Sequence, residues 1–304
     1  MLEIQNTITL TSSLIHSERQ IETISRFRRV PYLLANGERL DVPVLSGNAI
    51  RGYLRRAIAL RICNLLEIQP RTLSWRGFYL LFNGGVLEGS DWAWRIDDTE
   101  RLFDLLPHLR LFGCSYRSRI IPGTMMVLFA EPACRELRDT LPHHQQHPAY
   151  DAYPDGPPSL ADLLAEVPYS RRDDFSSEVP SGEKSATQMR YEFEALLPGT
   201  RLVHGFRIAT SHPLALGAFR AAVAQATDWN ALGGRSSIGH GRFRWTAPDV
   251  AREHNMPLEQ WQQHTVERRD QIIGLLTDGE PIGGEADKQL NDDPPADTPT
   301  LNTV

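Results

Sequence analysis

Period-two alternation over Leu2 to Leu14, and again over Met189 to Leu197 with a second strand over Thr200 to Ala209, is followed each time by a run of helical period. No other feature of the chain limits the fold as much. In the first run Leu2, Ile4, Ile8, Leu10 and Leu14 share one parity, while Glu3, Gln5, Thr7, Thr9 and Thr11 take the other. That is the pattern of a half-buried strand. Ile50, Leu54, Ala57, Ile58 and Leu65 then recur at helical spacing behind Ser46, a residue suited to cap a helix start. Leu214 to Ala226 repeats the helical pattern, and a glycine-rich stretch over 232–245 feeds a last strand. Two strand–helix halves around one antiparallel sheet predict an α+β, ferredoxin-like layout.

The intervening segments are less regular. Asn36-Gly37 marks a hairpin tip, and Arg26, Arg28 and Arg29 fall in a predicted loop closed by Val30-Pro31. Trp75 to Leu87 and Trp92 to Ile96 read as strand or loop, Ile120 to Phe129 as a core strand, and Met189 to Leu197 as a further strand. Residues 141–183 hold seven prolines with His143, His144 and His147, which predicts a mobile excursion with at most a short helix around Leu160 to Glu166. The domain reading is a palm over 1–140 and 184–250, an acidic mobile insertion over 141–183, a helical extension over 251–277 and a disordered acidic tail over 278–304.

Charge follows the same division. Thirty-two bases against 38 acids give a net −6, which excludes a uniformly basic nucleic-acid binder. Yet residues 270–304 hold eight acids and one base, Lys288, and residues 151–183 hold eight acids against Arg171 and Arg172. With those −7 and −6 set aside, the rest of the chain carries +7 and is open to a phosphate partner. All the bases except Lys184 and Lys288 are Arg, so a phosphate contact here is a planar guanidinium fork. Cys63, Cys114 and Cys134 are widely spaced, as in free thiols of a reducing cytoplasm. No apolar run approaches the roughly 18 residues of a membrane span, so a cytoplasmic protein is expected.

Three stretches suit nucleic acid. Gly233, Gly234, Arg235, Ser236, Ser237 and His240 crowd donors among glycines where a phosphate can come close. No Lys follows these glycines and a strand, not a helix, comes next, so this is no Walker loop. Ser46 to Arg56 places Asn48, Arg51, Arg55 and Arg56 at a helix start, where anions are attracted. Arg26, Arg28 and Arg29 surround Phe27, and Arg117 and Arg119 follow Tyr116, a pairing of base and ring that suits a single strand. A positive-φ turn, a solvated helix face and a core Phe27 are the plain readings of the same residues. Signatures of catalysis are absent, and the 143–147 histidines lie on what reads as too flexible a loop for a rigid metal site. No catalytic residue, metal or cofactor is expected.

Taken together, these stretches resemble a known superfamily. "VPVLSGNAIRGYLRRA" (42–57) resembles the "P-x-(I/V)-x-G-(S/N)-x-(I/L)-(K/R)-G-x-(L/F)-R" segment of CRISPR-associated RAMP-superfamily proteins. "LGGRSSIGHGRF" (232–243) resembles their C-terminal glycine loop, and "EFEALLPGTRLVHGFRI" (192–208) the strand pair that precedes it. The resemblance covers roughly residues 1–246, in matching order, and is nearest the Cas-seven-like backbone subunit in its type IV version. It implies an RNA-recognition-motif-like palm with inserted finger and thumb elements. It implies antiviral defence through copies that polymerise along a guide RNA (crRNA) as a helical filament within a ribonucleoprotein. The partners implied are that guide, a target nucleic acid (DNA before RNA) read by guide pairing, further effector subunits and a helicase. Ser46, Asn48, Arg51 and Arg55 would then meet guide phosphates, with the glycine loop beside them. Either Arg26 to Arg29 or the 141–183 excursion would supply thumb or finger contacts.

One departure bears on catalysis. Type III relatives cleave target RNA with an Asp in the loop before the palm helix, and the centre of that loop here is the basic Ser25 to Arg29. A non-catalytic subunit is therefore expected. The competing reading is a guide-processing endoribonuclease with His16 or His204 as general base. A serine hydrolase using Ser115 or Ser237 lacks any readable His/Asp pairing.

Overall fold

A computed structural model describes residues 1–21, 24–87, 96–170 and 190–277. Residues 171–183 of the acidic insertion, most of the stretch Trp92 to Ile96 and the tail over 278–304 lie outside the described residues. In chain order the elements are β1 (Leu2–Leu10), β2 (Ser17–Ile21), β3 (Ile24–Phe27), β4 (Arg29–Leu33), β5 (Arg39–Pro43), α1 (Gly47–Leu66), α2 (Trp75–Asn83), α3 (Ile96–Leu105) and α4 (Leu109–Phe112). There follow β6 (Cys114–Tyr116), β7 (Arg119–Ile121), β8 (Met125–Val127), β9 (Glu131–Pro132), α5 (Arg135–Arg138), β10 (Leu164–Ser170), β11 (Arg190–Leu196) and β12 (Arg201–Ile208). The last are α6 (Pro213–Trp229), β13 (Phe243–Trp245), α7 (Ala247–Glu253), α8 (Leu258–Glu267) and α9 (Arg269–Thr277).

The central sheet runs β13-β1-β12-β8, with β9 also on β12. Its pairings are antiparallel, with Ile4 opposite Phe206, Ile8 opposite Trp245 and Phe206 opposite Val127. Two β-α-β halves, β1–α1–β8 and β12–α6–β13, thus interleave in the ferredoxin-like order, and the fold is α+β as its sequence pattern predicts. Ile4, Ile8 and Leu10 of β1 are buried in the core with Ile50, Leu54, Ala57 and Ile58 of α1, so the parity and the helical period resolve onto one shared face. Gly47 starts α1 because the helix meets β8 closely: a Cβ there would lie 2.2 Å from the Val127 carbonyl oxygen. Among the described residues no helix is long and apolar enough to cross a membrane.

A second sheet, β10-β11-β3-β2, stands apart from the palm. Its β11 and β3 are parallel, Phe193 opposite Ser25, so the Arg26 stretch and the end of the proline-rich insertion are one structure. Arg26 and Arg29 are therefore strand residues in β3 and β4 on either side of Arg28, and the predicted loop is corrected. Alternation had been masked by their charge. Phe27 is buried, which settles it as core.

Two further expectations change. Trp75 to Asn83 is a helix, capped by the Ser74 hydroxyl accepting from Gly77 N, not a strand. The insertion is packed down over 141–170: His144, His147 and Ala149 are buried, Ala149 and Tyr150 cover Val203 of β12, and Leu160–Leu163 forms a 3-10 helix leading into β10. Proline content signalled the irregular backbone correctly but not its burial. Three helices occupy the 251–277 region and its approach, and the three cysteines are buried free thiols.

Candidate nucleic-acid interface

The start of α1 and the glycine loop, distant in sequence, form the two walls of one groove of about 300 Å³. Ala49, Tyr53 and Arg56 line one wall, Leu232, Gly233 and Ser236 the other, with His16 and Trp229 between. On the helix side Ser46 is the N-cap: its hydroxyl accepts from Ala49 N at 3.2 Å. Tyr53 is fixed from both ends, donating to the Ala226 carbonyl at 2.7 Å and accepting from Ala231 N at 3.2 Å. Its ring stacks on Trp229, centroids 5.6 Å apart and planes 15° off parallel. Trp229 is nonetheless 46% exposed, and the Arg56 guanidinium lies 5.9 Å from its ring centre. An open indole beside a guanidinium that has no acid partner among the described residues offers a base a stacking surface and a phosphate a counter-charge.

The glycine loop is lashed to the segment after β1. Gly234 N donates to Ile15 O and Gly241 N to Ser13 O, both at 2.8 Å. Gly233 and Gly241 have φ of +76° and +77°, and a Cβ would come within 2.4 Å of Ile15 O and 1.8 Å of Leu232 O respectively. No other residue fits either place. Arg235 itself is left-handed at φ 57°. The N–H groups of Gly233, Arg235, Ser236 and Ser237 have no backbone acceptor among the described residues. Backbone N–H groups left open in a glycine-rich loop suit an anion.

Other residues expected at the site have other work. Arg51 donates to the Phe112 carbonyl, and Arg55 donates to Asn83 O, Phe112 O and Gly113 O at 2.8, 2.9 and 3.1 Å. Burial lowers the pKa of both guanidiniums, and Arg51 adds to the effect on Arg55. These two were expected to follow successive phosphates; through these carbonyls they hold α1 to the 83–84 and 112–113 turns, outside the groove lining. Arg29 is bound to Glu194, whose other oxygen accepts from Phe27 N at 2.9 Å, and Arg26 lies 3.9 Å from both Glu166 and Glu194. Arg235 sits over Phe193 at 4.0 Å and Tyr169 at 5.1 Å, joining the glycine loop to the second sheet. His240 pairs with the Ser13 hydroxyl at 2.7 Å. Arg117 and Arg119 are on the β6–β7 hairpin, outside the groove lining, while Asn48 is exposed on the first turn of α1.

His16 was not expected in this groove. Its Nε2 accepts from Ser46 N at 3.4 Å, and burial, then the charge of Arg28, lower its pKa, so the ring is neutral at pH 7. Tyr53 and Trp229 were also missed. Each is an aromatic residue flanking an Arg-bearing or glycine-rich motif, the same pattern that singles out Phe27 and Tyr116.

No protein-family model and no curated protein matches the chain. Among solved structures, a chain of a Type IV-B CRISPR complex is similar over 81% of this chain and 90% of its own length, at 23% identity and a TM-score of 0.58. That likeness is one of fold alone.

Proposed function

We propose that this chain is a non-catalytic, guide-RNA-binding backbone subunit of a multisubunit CRISPR effector, of type IV, working in the cytoplasm. The observation that carries the reading is the groove itself. The two stretches whose wording resembles the RAMP superfamily come together there around an exposed Trp229, with Arg56 and backbone N–H groups that have no backbone acceptor among the described residues. The likeness to a Type IV-B CRISPR complex chain supports it from the side of the fold. In this reading Trp229 stacks on a base while Arg56, the Gly233–Ser237 backbone and the Asn48 turn hold phosphates. Stacking on Trp229 and contacts to phosphate would favour no base over another, which suits a subunit that must accept any guide. Copies follow one another along the guide in a filament, the guide pairs with target DNA, and other subunits and a helicase complete the complex.

One observation favours a second reading, a guide-processing endoribonuclease: neutral His16 lines the same groove and has the protonation state of a general base. Its Nε2 is already occupied by Ser46 N, which leaves it a positioning role for the α1 start.

The deciding experiment is purification of the chain, its absorbance ratio at 260 and 280 nm, and negative-stain imaging with and without ribonuclease. Helical or ring-like assemblies that carry RNA and dissolve under ribonuclease are the expected result. A monomer that binds one hairpin RNA and cuts it, losing activity in His16→Ala, replaces this reading with the second. A monomer indifferent to RNA overturns both.

A further inference from the structure

A second constellation lies away from the groove, where the packed-down insertion meets the sheet. Glu131 of β9 is 4% exposed, and one of its oxygens, Oε2, faces two rings at once: His143 Nε2 at 2.7 Å and His144 Nε2 at 2.9 Å. The other, Oε1, accepts the Tyr32 hydroxyl of β4. Three ligand atoms, two imidazole nitrogens and a carboxylate oxygen, thus lie within 4.8 Å of one another. Nothing in the nucleic-acid reading uses them.

Hydrogen bonds also orient the rings. Behind His144, Nδ1 is 2.7 Å from the Tyr150 hydroxyl, which in turn lies 3.2 Å from the Cys134 carbonyl. With its proton on Nδ1, facing the Tyr150 oxygen, the ring has Nε2 free to ligate a cation beside Glu131 Oε2; with the proton on Nε2, it donates to that oxygen instead, and a bound cation selects the first tautomer. A ring N–H tied to a hydroxyl or carbonyl, with the opposite nitrogen aimed at a common point, is how metal-bound histidines are oriented.

We propose that Glu131, His143 and His144 form a zinc(II) site. Two nitrogens and one carboxylate oxygen suit zinc over calcium or magnesium, which take oxygen shells. The fourth position falls to water or to the Tyr32 hydroxyl. Tetrahedral zinc separates its ligand atoms by roughly 3.3 Å. His143 therefore swings outward by about half an ångström from its 2.7 Å contact, and its side chain, 46% exposed, is free to do so and opens the way in. The metal joins three segments, β4 through the Tyr32–Glu131 bond, β9, and the turn at 143–144. It fastens the insertion onto the sheet without a cysteine. The site stands on this geometry alone and does not depend on the proposed function.

The test uses the full chain with any affinity tag removed. After dialysis against zinc and then buffer, elemental analysis is expected to find one zinc per chain, with a melting temperature several degrees above that of chelator-treated protein. Cobalt(II) in place of zinc is expected to give the intense visible bands of four-coordinate nitrogen–oxygen ligation. His143→Ala, at an exposed position, folds and loses the zinc equivalent, the cobalt bands and the zinc-dependent rise. Exposed His254→Ala retains all three. Glu131→Gln tests the carboxylate, and its chelator-treated melting temperature reports its folding separately. Substoichiometric zinc in the unaltered chain overturns the proposal in favour of a hydrogen-bonded Glu131–His143–His144 cluster. Full zinc retention in His143→Ala overturns it in favour of a site elsewhere.

Discussion

Tyr53 and Trp229 stack 5.6 Å apart although one is pinned inside the palm and the other opens to solvent. The buried ring is held by Ala226 O and Ala231 N, so the exposed one rests on a platform that does not shift. An indole backed in this way has already lost its rotamer freedom, and stacking a base upon it costs correspondingly less order. The groove owes its chemistry to this pair more than to any arginine at the helix start.

Trp229→Ala is accordingly expected to weaken single-stranded RNA by about 1–3 kcal/mol per copy, the usual worth of one base on one ring. The loss is the same on unrelated sequences, because every base has a face to stack. Fluorescence anisotropy on three RNAs of different composition measures it. A loss confined to one of them indicates base-edge readout instead of stacking.

The arginines of α1 separate by the work they do. Arg56→Ala leaves stability unchanged within experimental error and flattens the salt dependence of RNA binding by about 0.7, one phosphate contact on a single strand. Arg55→Ala does the reverse. It strips donors from Phe112 O and Gly113 O in a half-buried place and destabilises the fold by about 1–3 kcal/mol, with the salt slope retained. Urea unfolding and a salt series on both variants separate the two roles. If Arg55→Ala changes the slope while leaving stability intact, the division drawn between these neighbours is wrong.

That division also shows what the sequence makes legible. The palm is readable because its two strand periods and two helix periods each resolve onto one buried face, from Ile4 and Ile8 to Leu54 and Ile58. The glycine loop is readable because Gly233 and Gly241 are required by backbone contacts that any chain of this fold must make. Arginines are harder. Arg51, Arg55 and Arg56 look alike along a helix, yet the carbonyls that bind the first two lie 28 to 61 residues on, which no local pattern encodes. The packing of the insertion is hidden for the same reason. Prolines report where regular hydrogen bonding stops, and they do not report that His144 and Tyr150 find partners on β9 and α5's approach.

Glycine substitutions distinguish the required positions from the tolerant ones. Gly241→Ala forces a side chain into a left-handed backbone and against Leu232 O, and is expected to destabilise the protein by more than about 1 kcal/mol and to loosen the groove wall. Gly52, inside α1, is the opposite: nothing lies within 4 Å of a Cβ placed there. Gly52→Ala is expected to raise stability by about 0.5–1 kcal/mol through helix propensity alone. Thermal unfolding of the pair gives opposite signs. A destabilised Gly52→Ala would show that the α1 backbone at this turn is not the regular helix described.

Acid sensitivity follows from His108, which lies wholly buried between α3 and α4 with neither ring nitrogen bonded among the described residues. Burial, aided by the nearby Arg55 charge, holds its pKa down at about 3. In the unfolded chain the ring takes a proton near pH 6.5. Between those values the unfolded state binds more protons than the folded one, so stability rises with pH across the window and is lost as pH falls from about 6.5 toward 3. The difference is worth a few kcal/mol at the acid end. His108→Leu removes the proton site and two unbonded polar atoms together, so it is expected to unfold at a similar or higher temperature at pH 7 and to show a shallower decline below pH 6.5. His204, also held at about 3 by burial and the charge of His147, keeps its own share of the slope in the variant. Melting temperatures from pH 7 to pH 4 measure the difference directly, and parallel curves for the two proteins would mean that His108 is protonated in the folded state and that its burial is bridged by water.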